Sequence, residues 1–399
     1  MTAPSATPPP GGTDGRGDGP ARRVIVPASI DETFDRPGSV RSLAILRIVL
    51  GPAVLVHLAP FLSMTAAGEN FTDHFWEPWF TFLPRPGGAI QAPLVWIGAG
   101  AALAMTVGWR TRFSATTTAV CVTGNMFLSQ TYFRHNRAFL IFLLWAVALG
   151  ASGRVLSLDA RRARRAGRPV DDTDTLWPLW TIRYLAASVY LASGLSKAID
   201  PDWIGGLVLW DRAVRYQHLV AERLPGAAGD VMVDVITTRW VHAITSPIAV
   251  GMELFIGLGL WFARTRLAAV WVAAFFHVSI EISASVEVFS FAAIVALVIW
   301  ATPTTRDRRL SGAIPASIAP LDWLARFERC PSEGPLLVVD RDGRVVEGVE
   351  ARWLVASRLP LTFPVAGPGL AIVRRRLGSE ALGLGADPGT FPGTHERPD

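Results

Sequence analysis

Eight apolar stretches, each about as long as a bilayer is thick, constrain what this chain can fold into more than any other feature. They cover 43–64, 88–107, 113–130, 138–152, 178–198, 241–262, 267–284 and 286–302. A helix needs roughly 17–25 apolar residues to cross hydrocarbon, and only a helix or a closed barrel satisfies its backbone there. The spacing therefore predicts an all-α polytopic membrane protein of about eight transmembrane helices. Of the 399 residues, 50% are hydrophobic and 18% charged, which excludes an ordinary cytosolic enzyme and a disordered chain.

The polar links between the stretches carry an orientation. Arg22-Arg23 to Arg41, Arg110 with Arg112, the run from Arg161 to Arg165, Arg264 with Arg266, and Arg306 to Arg309 all fall on one side when the spans alternate. Arginine in short links marks the cytoplasmic side, so a multi-pass protein of the cell inner (plasma) membrane with both termini cytoplasmic is expected. These clusters form neither groove nor stripe, so the formal +5 charge implies no nucleic-acid partner, and the lipid bilayer is the first partner. On the opposite side, links 65–87 and 199–240 hold Glu69, Asp73, His74, Glu77, Asp200, Asp202, Asp211 and Glu222 among aromatics. They are expected to lie on the membrane face, partly as interfacial helices, and to close an outward-facing polar cavity.

The ends differ in composition from the middle. Residues 1–35 begin rich in Pro and Gly without an apolar run and read as a disordered tail rather than a signal peptide; 36–310 form the membrane domain. Residues 311–385 read as a small cytoplasmic α+β appendage: a hairpin across Asp342-Gly343, a helix from Glu350 to Leu359 and a basic helix around Arg374-Arg375-Arg376. Residues 386–399 form a second tail. Cys121 and Cys330 are far apart, and no helix carries paired His, Asp or Glu at ligand spacing, so neither a disulfide framework nor a metal site is expected.

Of the 38 basic residues, all but one are arginine; the exception is Lys197. Arginine does not release its proton, whereas an amine in apolar surroundings can become neutral and act as a base. Lys197 closes the fifth stretch, and Arg183, Tyr190 and Lys197 lie seven residues apart on a helical face with Ala187 and Gly194. Asp200 and Asp202 follow and are expected to orient the amine, with Trp203 beside it. Snorkelling at a helix end is the structural alternative. On the same side, His135, Asn136 and Arg137 open the fourth stretch, His277 and Glu281 sit in the seventh, and Glu287 begins the eighth. These residues suit an anionic ligand, or equally ion pairs among themselves. Glu253, deep in the sixth stretch, costs about 2.5–3.5 kcal/mol if charged and alone, so it is expected to be protonated or paired with Arg183 or Arg47.

Tyr190-x-x-x-Gly194-x-x-Lys197, followed by Asp200-x-Asp202-Trp203-x-x-Gly206, resembles the HTTM domain, the membrane domain shared with vitamin K-dependent gamma-carboxylase. Arg47-Ile-Val-Leu-Gly51, Asn136-Arg137 and Ser157-Leu158-Asp159 extend the resemblance over about 36–305. It implies that Lys197 is the base that deprotonates reduced vitamin K or menaquinone, with oxygen and carbon dioxide as co-substrates, no metal, and an extracytoplasmic acidic peptide as acceptor. Arg137 stands where the carboxylase pattern has His, which argues against assuming the same acceptor. The stretch from Val338 to Gly348 looks like the second half of a DCC thiol-disulfide oxidoreductase-like domain, but Cys330-Pro331-Ser332-Glu333 lacks the second cysteine, so a remnant without dithiol chemistry is expected. The leading expectation is a lysine-base enzyme acting on a lipid-soluble small molecule. The alternatives are a transporter or lipid-binding protein with Lys197 as fixed counter-ion, and a non-catalytic partner of a membrane complex.

Overall fold

The computed structural model describes residues 37–70, 76–82, 85–283, 289–304, 308–340 and 343–377; both expected tails lie outside them. A short strand β1 (Pro37–Ser39) leads into α1 (Arg41–Ala66), followed by α2 (Gly88–Val107), α3 (Thr111–Phe127) and α4 (His135–Leu149). A basic helix α5 (Leu158–Arg165) and strand β2 (Thr173–Thr175) precede α6 (Trp177–Ala198). β1 and β2 pair antiparallel, Gly38 opposite Asp174, which fastens the start of α1 to the start of α6.

The link 199–240 is helical: α7 (Pro201–Ile204), α8 (Leu207–Arg223) and α9 (Ala227–Thr237). The bundle is completed by α10 (Arg239–Gly259), α11 (Arg266–Ser283), α12 (Phe289–Ala296) and α13 (Val298–Ala301). Each of the eight predicted stretches is thus largely helical over its described residues, the last one broken in two. Length and composition alone do not reproduce eight crossings: among the described residues, four helices, α1, α2, α10 and α11, are long and apolar enough to cross a membrane. α4 and α12–α13 are apolar but short. α6 has the length, but Arg183 and Lys197, with its Trp, Tyr and Ser residues, dilute its apolar character.

One continuous apolar core joins α1, α2, α3, α4, α6, α11 and the last helices. Its best-defined polar element is Arg47, fully buried on α1. Arg47 Nη1 donates to the Met105 carbonyl at 2.7 Å, and Nη2 to the Leu156 carbonyl at 2.6 Å. The last carbonyls of a helix have no partner of their own and carry its negative pole, so this guanidinium solvates the end of α2. Gly108 closes α2 with φ +70°, and a Cβ there would collide with Arg47 Nη1 and Ser157. Ser157 caps α5 by accepting from Ala160 N at 2.8 Å. Asp159 reaches back to α3, accepting Arg110 N at 3.0 Å, Thr111 N at 2.6 Å and Thr111 Oγ1 at 2.8 Å.

Beyond the bundle, β3 (Arg309–Gly312), α14 (Ile318–Leu321), β4 (Glu328–Pro331), β5 (Leu337–Val339), β6 (Val345–Glu347), α15 (Gly348–Arg358) and α16 (Phe363–Leu377) form a small α+β unit. Its sheet has the order β4-β3-β5-β6; β3 and β4 are parallel and β5–β6 is the expected hairpin. Leu310, Val338, Val346, Leu354 and Leu359 form its core. Arg326 and Arg41 fasten it to the bundle, donating to the carbonyls of Ala301 and Trp323 respectively.

Burial raises the Asp159 carboxyl, but the bonds from Thr111 and Arg110 and the charge of Arg162 outweigh that and hold it below the usual carboxylate range. A carboxyl lowered by folding contributes stability that is complete above its unfolded value, about pH 4, and is lost as pH falls through the lower folded value. Asp159→Asn is expected to cost about 1 kcal/mol at neutral pH and to flatten the acid limb of the stability curve. Thermal melting in detergent across pH checks this.

Candidate functional site

α6 and α10 lie side by side because both present small residues at their contact. A Cβ on Gly194 would touch Leu254 and Glu253, and one on Gly257 would crowd Leu191. This close approach brings Glu253 under the end of α6. Lys197 Nζ donates to Glu253 Oε1 at 2.7 Å and to Oε2 at 2.9 Å, and Ser193 Oγ donates to Oε1 at 3.1 Å. The Glu253 side chain is 5% exposed and that of Lys197 21%, so the carboxylate is buried and the amine stands at the boundary. The pairing expected for Glu253 with Arg183 or Arg47 is corrected: Arg183 donates to the Ile299 carbonyl at 2.7 Å and lies between the rings of Trp180 and Trp300, while Arg47 holds the end of α2.

The link after Lys197 is shaped by capping. Asp200 is the N-cap of α7, accepting Asp202 N at 2.9 Å and Trp203 N at 3.4 Å; Asp202 is exposed in its first turn. Asp200 is thus engaged in capping, and the carboxylate that meets the amine is Glu253. A carboxylate this close to unpaired helix N–H groups binds them at little entropic cost. Capping fixes α7 so that the Trp203 ring faces Lys197, its centroid 4.7 Å from Nζ. Arg212 of α8 approaches the same ring at 5.9 Å. Ser246 of α10 donates to the Trp203 carbonyl at 2.5 Å. Gly206 turns the chain with φ +79° so close to α10 that a Cβ would strike the His242 backbone.

The other predicted residues divide between two neighbourhoods. Tyr190, two turns before Lys197, is buried, its hydroxyl 2.6 Å from His277 Nε2. His277 also packs on Phe289, which joins α6, α11 and α12. Beside Tyr190 is an apolar cavity of about 20 Å³ with Phe139, Phe289 and Trp300 in its wall, the size of one water. At the start of α4, His135 packs on Phe133, and Arg137 donates to the Tyr132 carbonyl at 2.6 Å with its guanidinium over the Tyr132 ring. Asn136, between them, is half-buried. Glu281 meets Arg223 of α8, whose Nη1 donates to its carbonyl and whose Nη2 lies 3.9 Å from its carboxylate. Glu287 lies outside the described residues.

Of the links 65–87 and 199–240 expected to close an outward-facing polar cavity, residues 71–75 and 83–84 lie outside the described residues. Residues 199–240 pack as α7–α9 on α10 and α11, with Trp210 Nε1 donating to the Thr237 carbonyl at 2.8 Å, and the enclosed space beside Tyr190 is apolar. Clefts of about 570 and 700 Å³ open at the other, arginine-rich end, beside α5.

The HTTM domain is matched over residues 35–304. The chain belongs to the HTTM family. No curated protein and no solved structure matches it. HTTM domains are found in vitamin K-dependent carboxylase-like membrane proteins, and with its apolar helices this chain is a membrane protein. The HTTM match ends where the α+β unit begins, and among the described residues Cys121 and Cys330 are both free.

Glu253 is the site residue whose role the sequence reading misplaced. The available signal was that it is the only carboxylate in 241–262 while Lys197 is the only lysine of the chain; charges alone in hydrocarbon seek each other. Arg212 carried no signal, because its position over Trp203 depends on the turn at Gly206. Lys197→Met is expected to cost about 1–3 kcal/mol, since it leaves the buried Glu253 carboxylate without its cation, and Glu253→Gln less, since Lys197 stands at the boundary and the amide oxygen still accepts from it. The double variant is expected to be less destabilised than the sum; additive losses in unfolding titrations would mean that the pair is not coupled.

Proposed function

We propose that the protein is an integral membrane enzyme in which Lys197 and Glu253 together move a proton at the extracytoplasmic face, acting on a lipid-soluble substrate. The orientation rests on charge: the arginine-rich links lie at the end of the bundle opposite Lys197, which supports a multi-pass topology with that end and both termini cytoplasmic.

The observation that carries the reading is the two-pronged contact of one amine with one buried carboxylate, 2.7 and 2.9 Å. A proton passing from Nζ to a Glu253 oxygen, and from there to water at the exposed side of the pair, leaves a neutral amine beside the carboxylate; its lone pair then takes a proton from substrate and restores the ion pair. The Trp203 face supports the ammonium that results, by about 0.5–2 kcal/mol, and Ser193 holds the carboxylate through the cycle. Arginine in place of Lys197 would keep the charge and lose the proton transfer. The counter-ion reading is weaker, because Glu253 already occupies the ammonium that a substrate carboxylate would need.

Reduced vitamin K or menaquinone fits this donor set: Lys197 can accept a phenolic proton, and Trp203 offers an aromatic face. With oxygen, such a quinol would supply a base strong enough to remove a carbon-bound proton ahead of carboxylation by carbon dioxide. The cavity beside Tyr190 accommodates a water-sized group and no ring, so Lys197 and Trp203 are the residues that would hold the quinol, on the exposed side of the amine. An acidic acceptor peptide would meet His135 and Arg212, both exposed, with Arg137 kept back by Tyr132.

The test is purified protein with reduced menaquinone or vitamin K, oxygen, bicarbonate and a panel of acidic peptides, scored for quinone epoxide. Wild type is expected to turn over, and Lys197→Arg to lose about 10²–10⁴ of the rate while staying folded. Full activity in Lys197→Arg removes the base role; no epoxide from wild type with any acceptor removes the quinol.

A further inference from the structure

The last helix of the α+β unit, α16, has no polar side chain from Phe363 to Val373. Its inward side packs on the rest of the unit. Ala366 and Leu370 are buried, Leu370 belongs to the unit's core, and Gly369 lies so close to α15 that a Cβ would strike the Trp353 ring. The outward side is equally apolar. Leu361, just before the helix, and Pro364, Val365, Pro368, Ala371 and Ile372 within it are exposed, at the three- and four-residue spacing that makes one helical face. Val365 is 77% and Ile372 55% exposed. A helix apolar on all sides belongs in a core or in lipid. This run is too short to cross a bilayer; at about 10–14 residues it is either a buried core helix or an interfacial segment, and its exposure excludes the first.

The point at which α16 is anchored decides what covers that face. Trp271 of α11 donates its indole N–H to the Pro360 carbonyl at 2.7 Å, in the turn between α15 and α16. α11 is one of the four helices long and apolar enough to cross a membrane. Trp271 lies five residues beyond Arg266, about 7 Å along the axis at roughly 1.5 Å per residue, so the turn is fastened inside the span. Trp271 is itself 38% exposed, and Phe275 and Val278, four and seven residues on, are exposed too. They form the uncovered apolar face of a crossing helix, the face that meets hydrocarbon. Leu361, next to the anchored carbonyl, is exposed as well, and the uncovered surface passes from α11 to α16 through Trp271. Directly after the apolar run come Arg374, Arg375 and Arg376, the composition of a segment leaving hydrocarbon for the headgroups.

We propose that α16 is an interfacial helix. It lies along the bilayer surface at the arginine-rich end of the bundle, with the face of Leu361, Val365 and Ile372 among acyl chains, and its partner is the lipid itself. The α+β unit is then held to the membrane by its own last helix as well as by the bundle, while the far end of its sheet stands in water. The proposal depends neither on the Lys197 reading nor on which side of the membrane this end occupies.

The test uses the full chain in phosphatidylcholine nanodiscs, with Cys330→Ser leaving the buried Cys121 as the native thiol. Val365→Cys and Ile372→Cys each carry a nitroxide label; both positions are exposed, so the label displaces no packing. Collision rates with oxygen, which concentrates among acyl chains, are compared with those of a water-soluble nickel chelate. Phe275→Cys on α11 calibrates lipid, and Glu333→Cys, exposed between β4 and β5, calibrates water. Both α16 positions are expected to match Phe275→Cys, with an oxygen-to-nickel ratio several-fold above that at Glu333→Cys. Nickel access at either position equal to that at Glu333→Cys overturns the proposal. Protection from both reagents overturns it too, because a second copy of the chain or another protein would then cover the face.

Discussion

A charge in an apolar bundle must be paired or solvated by the protein itself, because no water is there to do it. That constraint organises this structure. Lys197 and Glu253 meet across α6 and α10, and the contact is possible only because Gly194 and Gly257 let the two helices approach. Arg47 and Arg183 obey the same constraint differently, spending their protons on helix carbonyls and aromatic faces. Two buried arginines thus serve as permanent structural cations, while the single amine is held by a group that can exchange a proton with it.

The sequence motifs of the HTTM domain divide accordingly between the two ends of the bundle. Arg47, Gly51, Ser157 and Asp159 belong to one knot, where the end of α2, the start of α3 and the start of α5 are capped by one another. Tyr190, Gly194, Lys197, Asp200, Trp203 and Gly206 belong to the other, where Tyr190 meets His277 of α11, Gly194 and Gly206 permit the approach of α10, and Asp200 sets the Trp203 ring beside Lys197. The first knot explains why these helices sit where they do, and the second offers chemistry.

What was legible in the sequence follows from range. The positions of the helices are written in hydrophobic runs, and Lys197 stood out because no other lysine exists in the chain. The inward face of α6 was legible as well: Arg183, Ala187, Tyr190 and Gly194 are all buried. Which helix lies beside which is not written locally, so Glu253 was assigned to the wrong partners. Nearness along the chain also misled at Asp200, where capping two N–H groups takes precedence over reaching the amine. Arg137 turns to Tyr132, five residues back, for a similar reason: a ring and a carbonyl lie within its short reach.

The lid over the amine is fastened unequally. Parting α6 from α10 would strip an ion pair in a medium that cannot rehydrate it, at a cost of several kcal/mol. Lifting α7 breaks one hydroxyl bond from Ser246 and slides an indole off an ammonium. Of the two contacts the one at Trp203 is therefore the weaker, and the helix pair behind it stays closed like the fixed jaw of a vice.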